Sequence, residues 1–381
     1  MNSSAVSRRI ASHRLLTPQG IVNNPLVEVA ADGTILSVDT CDAPDRLACT
    51  EFYAGLLVPG LINAHCHLEL SALRGQVAAG GGFVAFARSL REARAACSAE
   101  MCEEAVAVAD AQMWHAGIAA VGDICNGETT FLHKRNSPIT YRNFAEIYGL
   151  KRRSTTALQP LLRYPLTTLT PHSTYTVQDA LFRSICAEGD GILSLHFLET
   201  AAESALFEQC GALWDWYQRE GLQCDFLDYG SPAQRLVESV PANRCLLLVH
   251  NCCVTQADID LIMNHFTAPV WWCLCPRSNR FISNRMPPVD LLRANKLNIC
   301  VGTDSLASNE DLSLIEELRC FTGVPLPELL NWATVNGAQA LGLDATLGAV
   351  AVGQRPGLSV LSGIDLSTLS FTPNTTIHRL L

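Results

Sequence analysis

Charge is sparse along this chain. Only 17% of its 381 residues are charged, and 37 acidic against 27 basic side chains leave a formal net charge of -10. The acidic residues are dispersed, which leaves no electrostatic footprint for phosphate backbones or anionic membrane surfaces. Neither a polynucleotide substrate nor a membrane partner is expected. No uncharged span is long enough to cross a bilayer, and residues 1–20, which carry Arg8 and Arg9, hold no apolar stretch of signal-peptide length. Secretion and membrane insertion are disfavoured, and a cytoplasmic location is expected. Repeats, low-complexity tracts and long linkers are absent. The 16 cysteines fall short of the density of a disulfide-stapled scaffold, and a chain that is 48% hydrophobic can bury a large core without staples. Cys252, Cys253, Cys273 and Cys275 sit in apolar runs where free cysteine acts as a small hydrophobe, so the thiols are read as reduced.

Apolar runs of strand length alternate with amphipathic stretches of helical length. Candidate strands cover residues 57–64, 118–124, 141–147, 166–171, 192–197, 245–250, 270–275 and 297–303. Helical patterns fall near 83–94, 99–115, 177–188, 201–220, 256–265, 289–295 and 312–320, with another around 326–340. Eight strands with intervening helices predict an α/β fold, a (β/α)₈ TIM-like barrel over residues 56–344. The two ends, 1–55 and 345–381, read as strands and turns and are expected to pair into one small β domain.

The strongest chemical signal is His65-Cys66-His67, directly after the candidate strand 57–64. Residues two apart in a strand point to one side, so both imidazoles can face one point at the C-terminal mouth, where barrels place their chemistry. His196 and His250 each close a candidate strand, and Asp304 follows another. Singly, each reads as a hydrogen-bonded core residue. Jointly, three imidazoles and a carboxylate supply the N/O ligands zinc prefers and leave a position open for water, the pattern of a catalytic site. Glu199, three residues after His196, can reach over that position and carry a proton; otherwise it is an acidic residue favoured by the dipole of the next helix.

The order HxH, HxxE, H, D, set in Pro59-Gly60-Leu61-Ile62-Asn63-Ala64-His65-Cys66-His67 and Gly302-Thr303-Asp304-Ser305, resembles the amidohydrolase superfamily, in particular its deaminase and chlorohydrolase branch. Further likeness lies in Thr170-Pro171-His172-Ser173-Thr174-Tyr175-Thr176-Val177, in Cys275-Pro276-Arg277-Ser278-Asn279 and in Ala333-Thr334-Val335-Asn336-Gly337-Ala338. The resemblance implies that His65, His67, His196 and Asp304 ligate one divalent metal, with Asp304 also taking a proton from the attacking water. It implies that His250 hydrogen-bonds that water, that Glu199 shuttles a proton to a ring nitrogen, and that His172 contacts the substrate. Glu69, in His67-Leu68-Glu69-Leu70, can face the same mouth and read a substrate amine or hydroxyl; the commoner state of such a residue is an exposed loop carboxylate.

Two-metal members of the superfamily use a bridging lysine from the fourth strand. Residues 166–171 hold none, and Lys134, Lys151 and Lys296 fall at no suitable strand end, so one metal is expected. Zinc suits the ligand types, as do Fe²⁺ and Mn²⁺. Two segments depart from the family pattern: Gly353-Gln354-Arg355-Pro356-Gly357-Leu358 near the C-terminal end, and 150–165, which lacks a regular helix beside the substrate mouth. The function that follows is hydrolytic deamination of an amino-substituted nitrogen heterocycle, because a heteroaromatic amine leaves only when its neighbouring ring nitrogen is protonated and Glu199 is placed to do that. Purine-type substrates are favoured, including adenine nucleosides and relatives such as aminofutalosine. Chlorohydrolase or cyclic amide hydrolase chemistry on the same metal site is the enzymatic alternative, and a catalytically silent metabolite-binding barrel the non-enzymatic one. The partner is a small molecule, and a homodimer is compatible with the chain.

Overall fold

Runs rich in Val, Ile and Leu that alternate with polar residues open the chain and pair as half-buried strands. The computed structural model describes residues 6–40 and 49–381; residues 1–5 and 41–48 of the expected N-terminal part of the β domain lie outside the described residues. The first strands are β1 (Val6–Thr17), β2 (Gly20–Asn23), β3 (Pro25–Ala30), β4 (Ile35–Thr40) and β5 (Glu51–Pro59). Ile10, Leu15, Val27, Val29, Ile35 and Leu57 bury their side chains in one cluster between them.

The strands that follow are β6 (Leu61–Cys66), β7 (Ile118–Cys125), β8 (Thr140–Ile147), β9 (Thr167–Pro171), β10 (Leu193–Phe197), β11 (Leu246–His250), β12 (Val270–Leu274) and β13 (Asn298–Val301). Sequences such as Leu-Leu-Leu-Val-His in β11 and Val-Trp-Trp-Cys-Leu in β12 are buried at every position, as expected of parallel strands covered on both faces. They form two four-stranded parallel sheets, β6-β7-β8-β9 and β10-β11-β12-β13. Parallel bridges tie the sheets at both edges, Ser173 to His196 and Cys66 to Asp304. His196 N donates to His172 O at 2.8 Å across one seam, and Thr303 N to His65 O at 3.0 Å across the other. All eight strands therefore deliver their C-terminal ends to one side.

The C-terminal strands β14 (Leu358–Ser362) and β15 (Thr376–Arg379) return to the first sheet, whose order is β15-β14-β5-β1-β3-β4 with β2 off β1. Both chain ends thus share one sheet. The expected strand 57–64 is in fact two strands. Residues 57–59 belong to β5 and pair antiparallel with β14, Val58 opposite Ser359. The break falls at Gly60, where a Cβ would stand 2.5 Å from both Ala119 Cβ and Pro356 O, so only glycine lets the chain cross between sheets there. The helical pattern 201–220 also divides, into Ala201–Phe207 and Gly211–Arg219, because Gln209 and Gly211 take left-handed φ values of 56° and 82°. The pattern at 326–340 divides into Leu326–Trp332 and Val335–Ala340, and the short helices Pro232–Ser239 and Pro276–Ser283 went unread, each starting on a proline at its first position.

The seam beside His65 is tight. A Cβ on Gly302 would lie 2.7 Å from both the Cβ and the carbonyl oxygen of His65. Gly302→Ala is expected to cost about 1–3 kcal/mol through overpacking against backbone that cannot retreat. Urea unfolding measures it; unchanged stability would show that the two strands approach less closely than described.

Candidate active site

The strand ends at the open side carry the site. His65 lies in β6, and His67 stands just past it as the cap of the short helix Leu68–Leu73. Reciprocal bonds fix β6 to the segment after β13: Asn63 Nδ2 donates to Thr303 Oγ1 at 2.8 Å and Thr303 N to Asn63 Oδ1 at 3.1 Å. Behind the HxH turn, Asp123 Oδ1 accepts from Leu68 N at 2.7 Å, and the buried Lys134 ammonium ion-pairs with the same carboxylate. Lys134 is thereby committed to Asp123 and to Asn143 Oδ1 at 2.9 Å.

Where strands end, the backbone turns sharply. His250 has φ 78°, Asp304 φ 57° and Leu198 φ 46°, a left-handed conformation that costs a non-glycine residue about 1–3 kcal/mol. Each turn serves a site residue. Asp304 Oδ2 accepts from Ser278 Oγ at 2.6 Å and Ser308 Oγ at 2.7 Å. That pinning turns Oδ1 to His67 Nε2 at 3.5 Å and His65 Nε2 at 3.7 Å. Burial opposes ionisation of Asp304, but the His65, His67 and His250 imidazoles around it outweigh burial and hold the carboxyl below the usual range. Asn279 Nδ2 donates to His250 Nδ1 at 2.9 Å, which leaves His250 Nε2 to carry the ring proton toward Glu199 Oε1 at 3.8 Å.

The loop holding Glu199 rests on Glu203, a fully buried carboxylate. Its oxygens accept from Leu198 N at 2.9 Å, Glu199 N at 2.7 Å and Thr200 N at 3.3 Å. Burial and then the Asp304 charge push the Glu199 carboxyl well above its ordinary value, so it can hold a proton near neutrality.

His65, His67 and His196 bring ring nitrogens within 4.8 Å of one another. His196 Nδ1 donates to His172 O at 3.1 Å, which leaves its Nε2 facing His67 Nε2 at 3.2 Å. Both His65 nitrogens are buried without a hydrogen-bond partner. Burial keeps His67 and His196 well below the ordinary imidazole value, so their lone pairs are free. Converging neutral imidazoles, an orphaned pair of nitrogens and an ionised carboxylate are the donor set a divalent cation takes.

A cavity of about 590 Å³ opens on this cluster. Its walls are apolar and aromatic, among them Phe83, Phe86 and Leu90 of the helix Gly82–Ala96 together with Trp216 and Tyr217. His67 and His172 line it directly. The His172 ring stacks on His196 with centroids 4.3 Å apart, and burial lowers it to about 4. Glu69 is half-buried with its side chain 6% exposed, not an exposed loop residue: Oε1 accepts from Arg94 Nη2 at 2.6 Å and Oε2 from Asn126 N at 3.0 Å. Arg94 and Asn126, not Glu69, stand in the cavity wall. Sequence reasoning passed over Glu146, which also lines the cavity and whose carboxyl burial pushes up to about 7. Its one available signal was an acidic residue one position from the end of a candidate strand.

Residues 56–379 match the Amidohydrolase family. The chain belongs to that family. The adenosine deaminase of Helicobacter pylori is 28% identical over 334 residues, spanning 81% of this chain and 79% of that protein. The 5-methylthioadenosine/S-adenosylhomocysteine deaminase of Halobacterium salinarum is 28% identical over 405 aligned positions, spanning 96% and 85%. Among solved structures, Helicobacter pylori aminofutalosine deaminase in complex with methylthio-coformycin superposes with a TM-score of 0.81 at 22% identity, over 98% of this chain and all of that one. Atrazine chlorohydrolase from Arthrobacter aurescens complexed with zinc superposes with a TM-score of 0.74 at 16% identity, over 94% and 90%. The amidohydrolase fold is thus common to all of them.

The serine pair on Asp304 is open to test. Ser278→Ala and Ser308→Ala each remove one donor to a buried carboxylate, and each is expected to cost about 1–3 kcal/mol of stability by chemical unfolding. Variants as stable as the parent would mean that Asp304 is not held by these hydroxyls.

Proposed function

We propose that this amidohydrolase removes the amino group of a purine-type nucleoside by hydrolysis, releasing ammonia. The observation that carries the reading is the convergence of three imidazoles and an ionised carboxylate at one point, with a buried, protonatable Glu199 close to His250 beside it. His65, His67, His196 and Asp304 are assigned as ligands of a single divalent ion. Zinc is favoured by the N/O donors and by its presence in the atrazine chlorohydrolase structure, with Fe²⁺ and Mn²⁺ as alternatives. When bound, the ion supplies an electrophilic centre that makes water a nucleophile near neutral pH.

The chain's own groups do the rest. Asp304, its far oxygen held by two serines, accepts a proton as water adds to the carbon bearing the amino group. Glu199 gives a proton to the adjacent ring nitrogen, and His250 hydrogen-bonds the oxygen that has added. The C–N bond then breaks: ammonia leaves with the proton Asp304 passes on, the added hydroxyl becomes the carbonyl, and its proton returns to Glu199. His172 contacts the base, and Glu69 acts by holding Arg94 and Asn126 in the cavity wall. The two parallel sheets, bridged along both seams, are assigned to one closed (β/α)₈ barrel over 56–344, with 1–55 and 345–381 as the small β domain that borrows β5 to Pro59. A cytoplasmic, reducing setting fits the free cysteines; among the described residues no helix is long and apolar enough to cross a membrane.

His67→Ala is expected to lose the metal and turnover together while unfolding stays cooperative, since a core of this size does not rest on an ion. Elemental analysis of the parent is expected to give one ion per chain. Two equivalents in fully active protein, or full metal and activity in the variant, overturns the ligand assignment.

Glu199→Gln keeps size and hydrogen bonding but removes the proton. Metal content is expected to hold while turnover of an aminated purine nucleoside falls ~10²-fold or more. The chlorinated analogue, whose leaving group needs no proton, is expected to lose less. Equal, small losses on both substrates would remove Glu199 from the mechanism.

A further inference from the structure

One carboxyl in the cavity wall has work left over. Glu146 stands near the end of β8 with 3% of its surface exposed. Its Oε2 accepts from Asn126 Nδ2 at 3.0 Å, but its Oε1 has no hydrogen-bond partner. The nearby N–H of His196 Nδ1 lies 3.6 Å from Oε1 and already donates to the His172 carbonyl at 3.1 Å. An imidazole nitrogen carries one hydrogen, so a role for Glu146 as the orienting partner of His196 does not satisfy Oε1.

The arrangement is rigid. Arg94 Nη1 donates to Asn126 Oδ1 at 3.3 Å, which fixes the amide so that its NH₂ faces Glu146. Glu69 in turn takes Arg94 Nη2 and the Asn126 backbone N–H. A buried acceptor held in place on a ligand cavity, without a donor of its own, is satisfied by a donor on the ligand. In a purine nucleoside placed for deamination the exocyclic amine lies at the histidine triad. Glu146 Oε1 lies on the opposite side of the His196 ring from the nitrogen that faces His67, so it meets a different part of the substrate. The donors a nucleoside has left are its sugar hydroxyls, and a cavity of about 590 Å³ has room for them. The N9–H of a free base is the competing donor.

We propose that Glu146 is a specificity-determining residue of this site, its Oε1 accepting a hydrogen bond from a sugar hydroxyl of a nucleoside substrate. The proposal takes the orientation of the base from the deamination reading, but binding tests it without turnover. Metal-loaded protein is titrated calorimetrically with purine riboside, which lacks the amino group, with its 2′-, 3′- and 5′-deoxy forms, and with purine itself. The parent protein is expected to bind the riboside about tenfold or more tightly than the one deoxy form that lacks the contacted hydroxyl, the worth of a hydrogen bond to a carboxylate. Glu146→Ala is expected to erase that gap by weakening the riboside alone. Glu146→Gln, which keeps an acceptor oxygen, recovers part of it and serves where the alanine variant fails to fold. A full gap that survives in Glu146→Ala or stands undiminished in Glu146→Gln, equal weakening on every ligand, tighter binding of free purine, or no hydroxyl preference in the parent overturns the proposal. Ammonia release from adenosine, assayed in parallel, judges deamination separately: a hydroxyl preference without ammonia sinks that reading and leaves Glu146 its role, and ammonia without a preference does the reverse.

Discussion

Two imidazole nitrogens, His67 Nε2 and His196 Nε2, face each other at 3.2 Å in an interior that disfavours protonating either ring. His196 Nε2 presents a lone pair there, and with no ion between the rings His67 Nε2–H can donate to it. Much of the surrounding structure exists to hold this arrangement. The His172 carbonyl takes the Nδ1 proton of His196 and so directs its other nitrogen inward. Asn63 and Thr303 lock the two strands that flank His65. The left-handed backbone at His250 and Asp304 is a local cost accepted to swing side chains across the strand ends. A divalent cation would take both nitrogens as ligands together with His65, whose buried nitrogens have no hydrogen-bond partner, and that orphaned pair is evidence for a metal where a hydrogen-bonded histidine would not be.

The same logic sorts the carboxylates. Asp304 sits among imidazoles and two serine hydroxyls and stays ionised. Glu199 is equally buried but lacks such donors, and the Asp304 charge adds to its penalty, so it keeps its proton. Two acids in one pocket with opposite protonation are the arrangement that acid-base chemistry needs. Their environments differ because their loops differ: Ser278 begins a helix after β12, while Glu199 rides on a turn whose amides are all taken by Glu203.

How much of this could be read beforehand follows from the range of each interaction. The period-two spacing of His65 and His67 is local, and so is the placing of His196, His250 and Asp304 at the ends of apolar runs; the structure brings all of them together. All eight parallel strands lie where their apolar runs put them, apart from the first, which was merged with β5 because Gly60 looks like an ordinary strand residue until its neighbours Ala119 and Pro356 are known. Partnerships across long stretches of chain were not legible. Nothing local marks Asn279 as the donor to His250, Lys134 as the counterion of Asp123, or Glu69 as the partner of Arg94. Glu69 reads locally as a residue facing the mouth, with an exposed loop carboxylate as the commoner state; covering its side chain is tolerable through a guanidinium 25 residues further along, which no local pattern shows.

The division between strand ends and cavity walls also bears on specificity. The reacting groups sit on strands and the turns leaving them, where backbone hydrogen bonds to neighbouring strands hold positions to a fraction of an ångström. The outer cavity wall is different. Phe83, Phe86 and Leu90 come from a helix with no fully buried residue, and Trp216 and Tyr217 from a helix set off by a glycine break. The first of these helices can be rearranged without disturbing the chemistry beneath it, whereas the second is anchored by buried Leu213 and Tyr217. The polar chain from Glu69 through Arg94 and Asn126 to Glu146 crosses that divide, because it begins beside the HxH turn and ends against His196. A substrate group read by Glu146 is therefore read from a fixed point relative to the reacting carbon, whereas a group that touches only Phe83, Phe86 and Leu90 is read by a surface free to vary.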